Sequence, residues 1–238
     1  LLAQFFPEFE AYKPARTAYS IVLDCSGSME DKLEDAKTAV REAMNHFRDG
    51  DSFQIVCFNT RILDLPCRTM HPVNARSVRS ALSSLDSVQA DGGTELMAPL
   101  RLALGETAPK SRHCVLLITD GQVGNDRAII MMAQQERKQN TRLFTVGIGF
   151  AANSYLVNEL AEIGCGVAEH VCPGEAVGGK IERQMIRCAG AHVDDIRLTW
   201  ANDERCAAQE PPALPELYDG ETVRVLLQTS ETAVWPRR

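Results

Sequence analysis

No stretch of this 238-residue chain approaches the ~20 consecutive apolar residues that a membrane helix needs. The opening residues, LLAQFFPEFE, carry no basic n-region and no small-residue cleavage site, so they are not expected to act as a secretory leader. The chain also starts without Met, which is expected of a piece of a longer protein. No dense run of Lys and Arg occurs, and the formal net charge is −7. Both argue against nucleic acid as the main partner, because phosphate binding needs a basic face. There is no Gly-x-x-x-x-Gly-Lys-Ser/Thr loop and no Gly-x-Ser-x-Gly elbow, and the five His are scattered. Eight Cys are present, at 25, 57, 67, 114, 165, 172, 188 and 206, yet no Cys-x-x-Cys pair and no Cys/His cluster with zinc spacing. Reduced core thiols are the expected state, which tilts the compartment toward the cytosol over secretion. Pairing of Cys165 with Cys172, or of Cys188 with Cys206, stays open.

What is there is ordinary for a globular chain: 45% hydrophobic and 24% charged residues. The length suits one domain of ~180 residues with an appendage, or two small domains. Short apolar runs at 19–23, 52–58, 113–118, 143–148 and 167–171 read as strands. Between them, apolar residues recur at steps of three and four over 32–48, 73–85, 95–104, 127–137, 153–163 and 175–187, which predicts helices. Asp126 and Asn153 are candidate caps, and Gly164 a candidate stop. Residues 61–65 are expected to form a short partner strand at the sheet edge. This alternation predicts an α/β fold with a doubly wound, mostly parallel sheet covered by helices on both faces. Right-handed crossovers then put the strand carboxyl ends on one rim.

That rim collects the chemistry. Residues 19–29 read YSIVLDCSGSM: a strand runs into Asp24, Ser26 and Ser28, and a helix follows. One carboxylate and two hydroxyls are hard oxygen donors, suited to Mg²⁺, Mn²⁺ or Ca²⁺ and too few to enclose the ion. Taken alone, the same residues serve equally well as helix caps. Two further polar loops, Asp91-Gly92-Gly93-Thr94 and Thr119-Asp120-Gly121, lie at strand or helix ends. Together, Asp24, Ser26, Ser28, Thr94 and Asp120 resemble the metal-ion-dependent adhesion site (MIDAS) of the von Willebrand factor type A (vWA) family, with all five positions filled. The resemblance implies that Ser26, Ser28 and Thr94 touch a Mg²⁺ ion, or Mn²⁺ or Ca²⁺, directly. It implies that Asp24 and Asp120 hold it mostly through water, and that a Glu or Asp of a partner protein completes its shell.

After Ala189 the pattern changes. Residues 193–200 and 221–228 alternate as half-buried strands, with a Pro-rich stretch, EPPALPE, between them. Two strands do not make a stable sheet, so partner strands are expected, from a segment before Leu1. Trp200 and Trp235 are expected to pack there. The tail PALPELYDGETVRV and the stretches TRLFTVGIG and NELAEIGCG resemble the vWA subgroup found in inter-alpha-trypsin inhibitor heavy chains and the vault poly(ADP-ribose) polymerase. These proteins place a β-sandwich before the A domain. The expected division is therefore 1–16 as a linker or strand from a preceding domain, 17–189 as the vWA domain, and 190–238 as a β extension of the sandwich. Nothing resembles an ADP-ribosyltransferase catalytic domain. A metal-dependent protein-binding module, and not an enzyme, is the expected function; the alternatives are a Mg²⁺-dependent hydrolase or phosphotransferase and a non-binding scaffold domain.

Overall fold

The computed structural model describes residues 2–5, 16–105, 111–120, 123–149, 152–190, 192–193, 196, 206–212, 214, 217–218 and 221–229. In chain order these form β1 (Leu2–Phe5), β2 (Thr17–Asp24), α1 (Leu33–Ala43), β3 (Ser52–Phe58), β4 (His71–Pro72), α2 (Ala75–Asp86), α3 (Met97–Gly105) and β5 (Arg112–Thr119). There follow α4 (Asp126–Glu136), β6 (Thr141–Ile148), α5 (Ser154–Ile163), β7 (Ala168–Val171), α6 (Val177–Ala189), β8 (His192–Val193), β9 (Cys206–Glu210), β10 (Leu217–Tyr218) and β11 (Val223–Thr229). Contacts divide the chain into two units, Ala15–Ala189 and Leu1–Pro14 with Gly190–Arg238.

The larger unit is an α/β sheet in the order β4-β3-β2-β5-β6-β7. All neighbours are parallel except the edge pair β3–β4. From β2 the chain builds outward to β3 on one side, then returns to add β5 on the other. The strand order therefore reverses between β2 and β5, and this crevice is where open α/β sheets bind ligands. Every residue of β2 is buried, which explains its uninterrupted apolar run: both faces are covered. Helices α3, α4 and α5 supply one cover, with Leu100, Leu104, Ile129, Leu156 and Leu160 packed on Val22, Val115 and Leu117.

Local forces shift several expected boundaries. The first helix ends at Ala43 rather than near 48, because Phe47 turns extended and stacks on Tyr19 at 4.5 Å and against Phe53 at 5.5 Å. The expected edge strand at 61–65 shrinks to a single bridge from Ile62 to Phe58; His71–Pro72 takes the edge instead. Proline is tolerated there because an edge strand has no second ladder to feed. Asn74 caps α2 through a reciprocal capping box with Ser77. Asn125, not Asp126, occupies the cap position of α4, and Asp126 sits in its first turn. Asn153 caps α5 by accepting from Leu156 N, and Gly164 ends it.

A row of buried polar side chains crosses the sheet, with a two-residue step between β2 and β5. Gln54 Nε2 donates to Ser20 Oγ at 2.8 Å, Ser20 Oγ lies 2.8 Å from His113 Nε2, and His113 Nδ1 lies 3.1 Å from Thr141 Oγ1. One residue comes from each of β3, β2, β5 and β6. Ser20 with His113 has the spacing of a nucleophile and base, but both are sealed from solvent, at 0% and 1% exposure. Burial, with Lys138 adding to it, lowers the His113 pKa from 6.5 to about 4. The unfolded chain therefore binds this proton more tightly than the folded one. Stability is full above pH ~6.5 and falls as pH drops toward 4, at up to about 1.4 kcal/mol per pH unit, so by about 3 kcal/mol. Urea unfolding at pH 7.0, 5.5 and 4.5 checks this: His113→Gln is expected to lose much less stability over that range than the parent chain.

In the smaller unit β11 is central, antiparallel to both β1 and β9. Val223, Val225 and Leu227 face inward while Arg224, Leu226 and Gln228 face outward, the expected alternation. The partner strand expected from beyond Leu1 is supplied within the chain, with Leu2 opposite Leu226 and Phe5 opposite Val223. β9 is a partner the apolar pattern does not announce, since CAAQE holds little apolar surface. Of the strand expected over 193–200, Val193 is observed in β8, paired with β10; residues 194–195 and 197–200, like Trp200 and Trp235 themselves, lie outside the described residues. Among the described residues no helix is long and apolar enough to cross a membrane.

Cys25, Cys57, Cys67, Cys114, Cys172 and Cys188 are free thiols, so neither Cys165–Cys172 nor Cys188–Cys206 is paired; the Cys206 side chain lies outside the described residues. A hydrogen bond with Cys25, and then burial, push the Cys57 thiol well above its ordinary pKa, so it is an inert packing group.

Candidate metal centre

Asp24 is the last residue of β2 and is fully buried. Its Oδ1 accepts from Ser26 N at 2.9 Å, and its Oδ2 accepts from Thr119 Oγ1 at 2.6 Å. Burial pushes the Asp24 carboxyl up from its ordinary pKa, and the bonds from Thr119 and Ser26 oppose it. The chain then enters a 3-10 turn at Gly27–Met29. Ser26 Oγ and Ser28 Oγ lie 3.1 Å apart, the first buried and the second exposed. Two hydroxyls are thus presented side by side, one at the floor and one at the mouth.

The loop carrying Thr94 docks on this turn by its backbone. Gly27 N donates to Gly92 O at 2.9 Å, Asp91 N to Cys25 O at 3.0 Å, and Glu95 N to Asn59 O at 2.8 Å. Gly92 adopts φ +72, a left-handed turn that side chains resist, so the double glycine has a conformational reason. Thr94, half-buried, lies between the Gly92 and Glu95 anchors. Behind the turn, the buried Lys37 reaches Val88 O and also pairs with Glu34 at 2.7 Å, tying the segment before Asp91 to α1.

Asp120 follows the last residue of β5, next to Thr119, across the switch point from Asp24. It is 0% exposed, and among the described residues neither of its carboxylate oxygens has a hydrogen-bond partner. A buried carboxylate in that condition costs several kcal/mol unless a cation compensates it. The cation closest to it in the chain itself is Lys32, whose Nζ stands 3.5 Å from Asp120 Oδ2 and donates to Ser28 O at 3.0 Å.

The structure therefore draws Asp24, Ser26 and Ser28 into one bonded turn, latches the Thr94 loop to it through main chain, and joins Asp120 to it through Thr119 and Lys32. Among the described residues no hydrogen bond runs directly from the Thr94 or Asp120 side chain to the other three. The donor set is all oxygen, two carboxylates and three hydroxyls, which fits a hard divalent cation with open positions. Among the described residues no cluster of three or more His, Cys, Asp and Glu offers a competing site. Thr119 and Lys32 are contributors that pattern reading misses. One signal for Lys32 exists: it occupies the cap position of α1, where a helix dipole disfavours a cation, so something outside the helix must hold it there.

The fold and this loop cluster define a class, an α/β domain with a ligand rim at its switch point. The von Willebrand factor type A domain profile matches residues 18–170, and the chain belongs to that family. It is similar to a von Willebrand factor A domain-containing protein of Dictyostelium discoideum, 26% identical over 231 residues, covering 94% of this chain and 24% of that protein. It is similar to von Willebrand factor A domain-containing protein 5B1 of Mus musculus, at 24% identity, 93% coverage here and 19% there. It is also similar to protein mono-ADP-ribosyltransferase PARP4 of Homo sapiens, at 27% identity, 90% coverage here and 13% there. The chain thus spans a quarter or less of these relatives. Among solved structures, a von Willebrand factor type A protein from Catenulispora acidiphila superposes with a TM-score of 0.67 at 17% identity, over 95% of this chain and 64% of that one. Proximal thread matrix protein 1 from the mussel byssus, with zinc in its MIDAS motif, superposes at 0.60 with 16% identity, over 76% of this chain and 50% of that one. At these identities the likeness is one of fold.

Proposed function

We propose that this chain is a metal-dependent protein-interaction module. Asp24, Ser26, Ser28, Thr94 and Asp120 hold a divalent cation, Mg²⁺ by the hardness of the donors, and a Glu or Asp side chain of a partner protein completes its shell. The observation that carries the reading is Asp120: a fully buried carboxylate without a hydrogen-bond donor among the described residues, in a loop beside a bonded pair of serine hydroxyls. Both Asp24 oxygens already accept protein hydrogen bonds, which suits an ion held through water on that side. Three neutral hydroxyls leave the ion under-compensated, so it attracts an external carboxylate. The zinc in the mussel protein's own motif supports the divalent class. What the ion supplies is charge and open coordination positions; no reaction is assigned to it.

In this reading residues 17–189 are the A domain, and 1–16 with 190–238 belong to a β-sandwich, the arrangement of the subgroup that joins such a sandwich to the A domain. The test is calorimetric titration of Mg²⁺ into the whole chain and into a 17–189 fragment, with a pull-down from extract in Mg²⁺ and in EDTA. Equal Mg²⁺ binding by both and partners lost in EDTA are expected. No heat with Mg²⁺ or Mn²⁺ sinks the reading.

A further inference from the structure

Lys32 stands where its charge opposes the proposed ion, and this rests on the metal reading above. Its ammonium reaches across the crevice, 3.5 Å from Asp120 on the β5 side and 3.0 Å from the Ser28 carbonyl on the β2 side. It thereby compensates a buried carboxylate that no hydrogen bond among the described residues satisfies. We infer that Lys32 is a built-in counter-ion that competes with the divalent cation for Asp120 and holds its affinity down until a partner carboxylate arrives.

An ammonium and a divalent ion on one carboxylate are within a few ångströms of each other, where like charges repel by several kcal/mol even at an effective dielectric of ~20. The ion can settle only if Lys32 withdraws or a further negative charge enters. Lys32 has room to withdraw. Its side chain is 29% exposed and borders an open cleft of about 460 Å³ that also presents Asp31, Asp35 and Glu175. Gly149 forms the near wall; a side chain there would meet Lys32 Cε and Nζ at 3.4 Å. The second route, an incoming carboxylate, restores the local charge balance and makes ion and partner bind cooperatively. Withdrawal costs the Asp120 pair and the Ser28 bond, so the ion alone binds more weakly than its donors would allow.

The experiment titrates Mn²⁺ calorimetrically into the whole chain as it stands and as Lys32→Gln and Lys32→Arg. Lys32→Gln is expected to bind Mn²⁺ on the order of tenfold more tightly, and Lys32→Arg to stay within about threefold of the parent. A second readout needs no metal: urea unfolding in EDTA of Lys32→Gln, Asp120→Asn and the double variant. Lys32→Gln is expected to lower the midpoint alone and to have little effect once Asp120 is Asn. Unchanged or weaker Mn²⁺ binding by Lys32→Gln, with the parent binding normally, overturns the counter-ion role and leaves the metal site standing. Absence of binding by parent and Lys32→Gln alike overturns both. Additive midpoint shifts in EDTA also overturn it, since they would show that Lys32 and Asp120 do not sense each other.

Discussion

Asp24→Asn is expected to abolish measurable Mg²⁺ binding, a loss of at least ~100-fold, or ~2.7 kcal/mol, while the chain stays folded. The substitution keeps the shape and preserves an acceptor for Ser26 N, but removes one of the two formal charges among the five donors. It also puts an amide donor where Oδ2 accepts from Thr119 Oγ1. The Thr119 hydroxyl must then rotate and act as acceptor, so the stability cost is that of one altered buried hydrogen bond, about 1 kcal/mol. Ala at the same position would leave both Ser26 N and Thr119 Oγ1 without their acceptor and would confuse unfolding with lost affinity. Calorimetry alongside urea unfolding separates the two effects. Parent-like affinity in a folded Asp24→Asn protein would remove Asp24 from the ion's surroundings.

Gly166→Ala is expected to be the most damaging single-methyl change in the larger unit, destabilising by about 3 kcal/mol or more. An added Cβ would sit 2.3 Å from Leu143 O and 2.8 Å from Leu143 C. Those are main-chain atoms of β6, an interior strand between β5 and β7, so they cannot step aside as a flexible side chain could. Leu143 N is also tied to Gly164 O at 3.0 Å, and Gly166 N to Ala161 O at 2.9 Å, which fixes the connection from both ends. For a unit of this size the melting midpoint should fall by about 10 °C. Gly179→Ala is the control: it lies inside α6 with open space around it, and helix propensity favours the change by a few tenths to 1 kcal/mol. A thermal melt of the two variants checks both signs.

The central strands are legible in the sequence because burial on both faces leaves a continuous apolar run, as in 52–58 and 113–118. Helices with a single covered face are legible through their periodicity. What the pattern does not contain is anything decided by a distant partner. Phe47 looks like the last turn of the first helix until Tyr19 and Phe53 offer it a stack. His71–Pro72 looks like a loop until β3 leaves it an edge. Leu2–Phe5 is too short to announce itself, and finds β11 more than two hundred residues away. The candidate site divides in the same way. Its five oxygen donors stand in short polar loops beside strands and helices, where local reading works. Thr119, reading as the first residue of a polar loop, and Lys32, reading as the start of a helix, acquire meaning only when β2 and β5 lie side by side.

The buried row from Gln54 to Thr141 carries a consequence for assembly. Apolar faces are interchangeable, and four similar valine- and leucine-rich ribbons could in principle line up in several sequences of neighbours. The observed line-up lets an amide, a hydroxyl, an imidazole and a second hydroxyl shake hands in turn. An arrangement that parts β2 from β5 breaks the Ser20–His113 bond, and each buried polar group left without a partner costs about 1–3 kcal/mol. The row thus adds a polar reason for β2 to lie beside β5, the juxtaposition on which the metal rim relies.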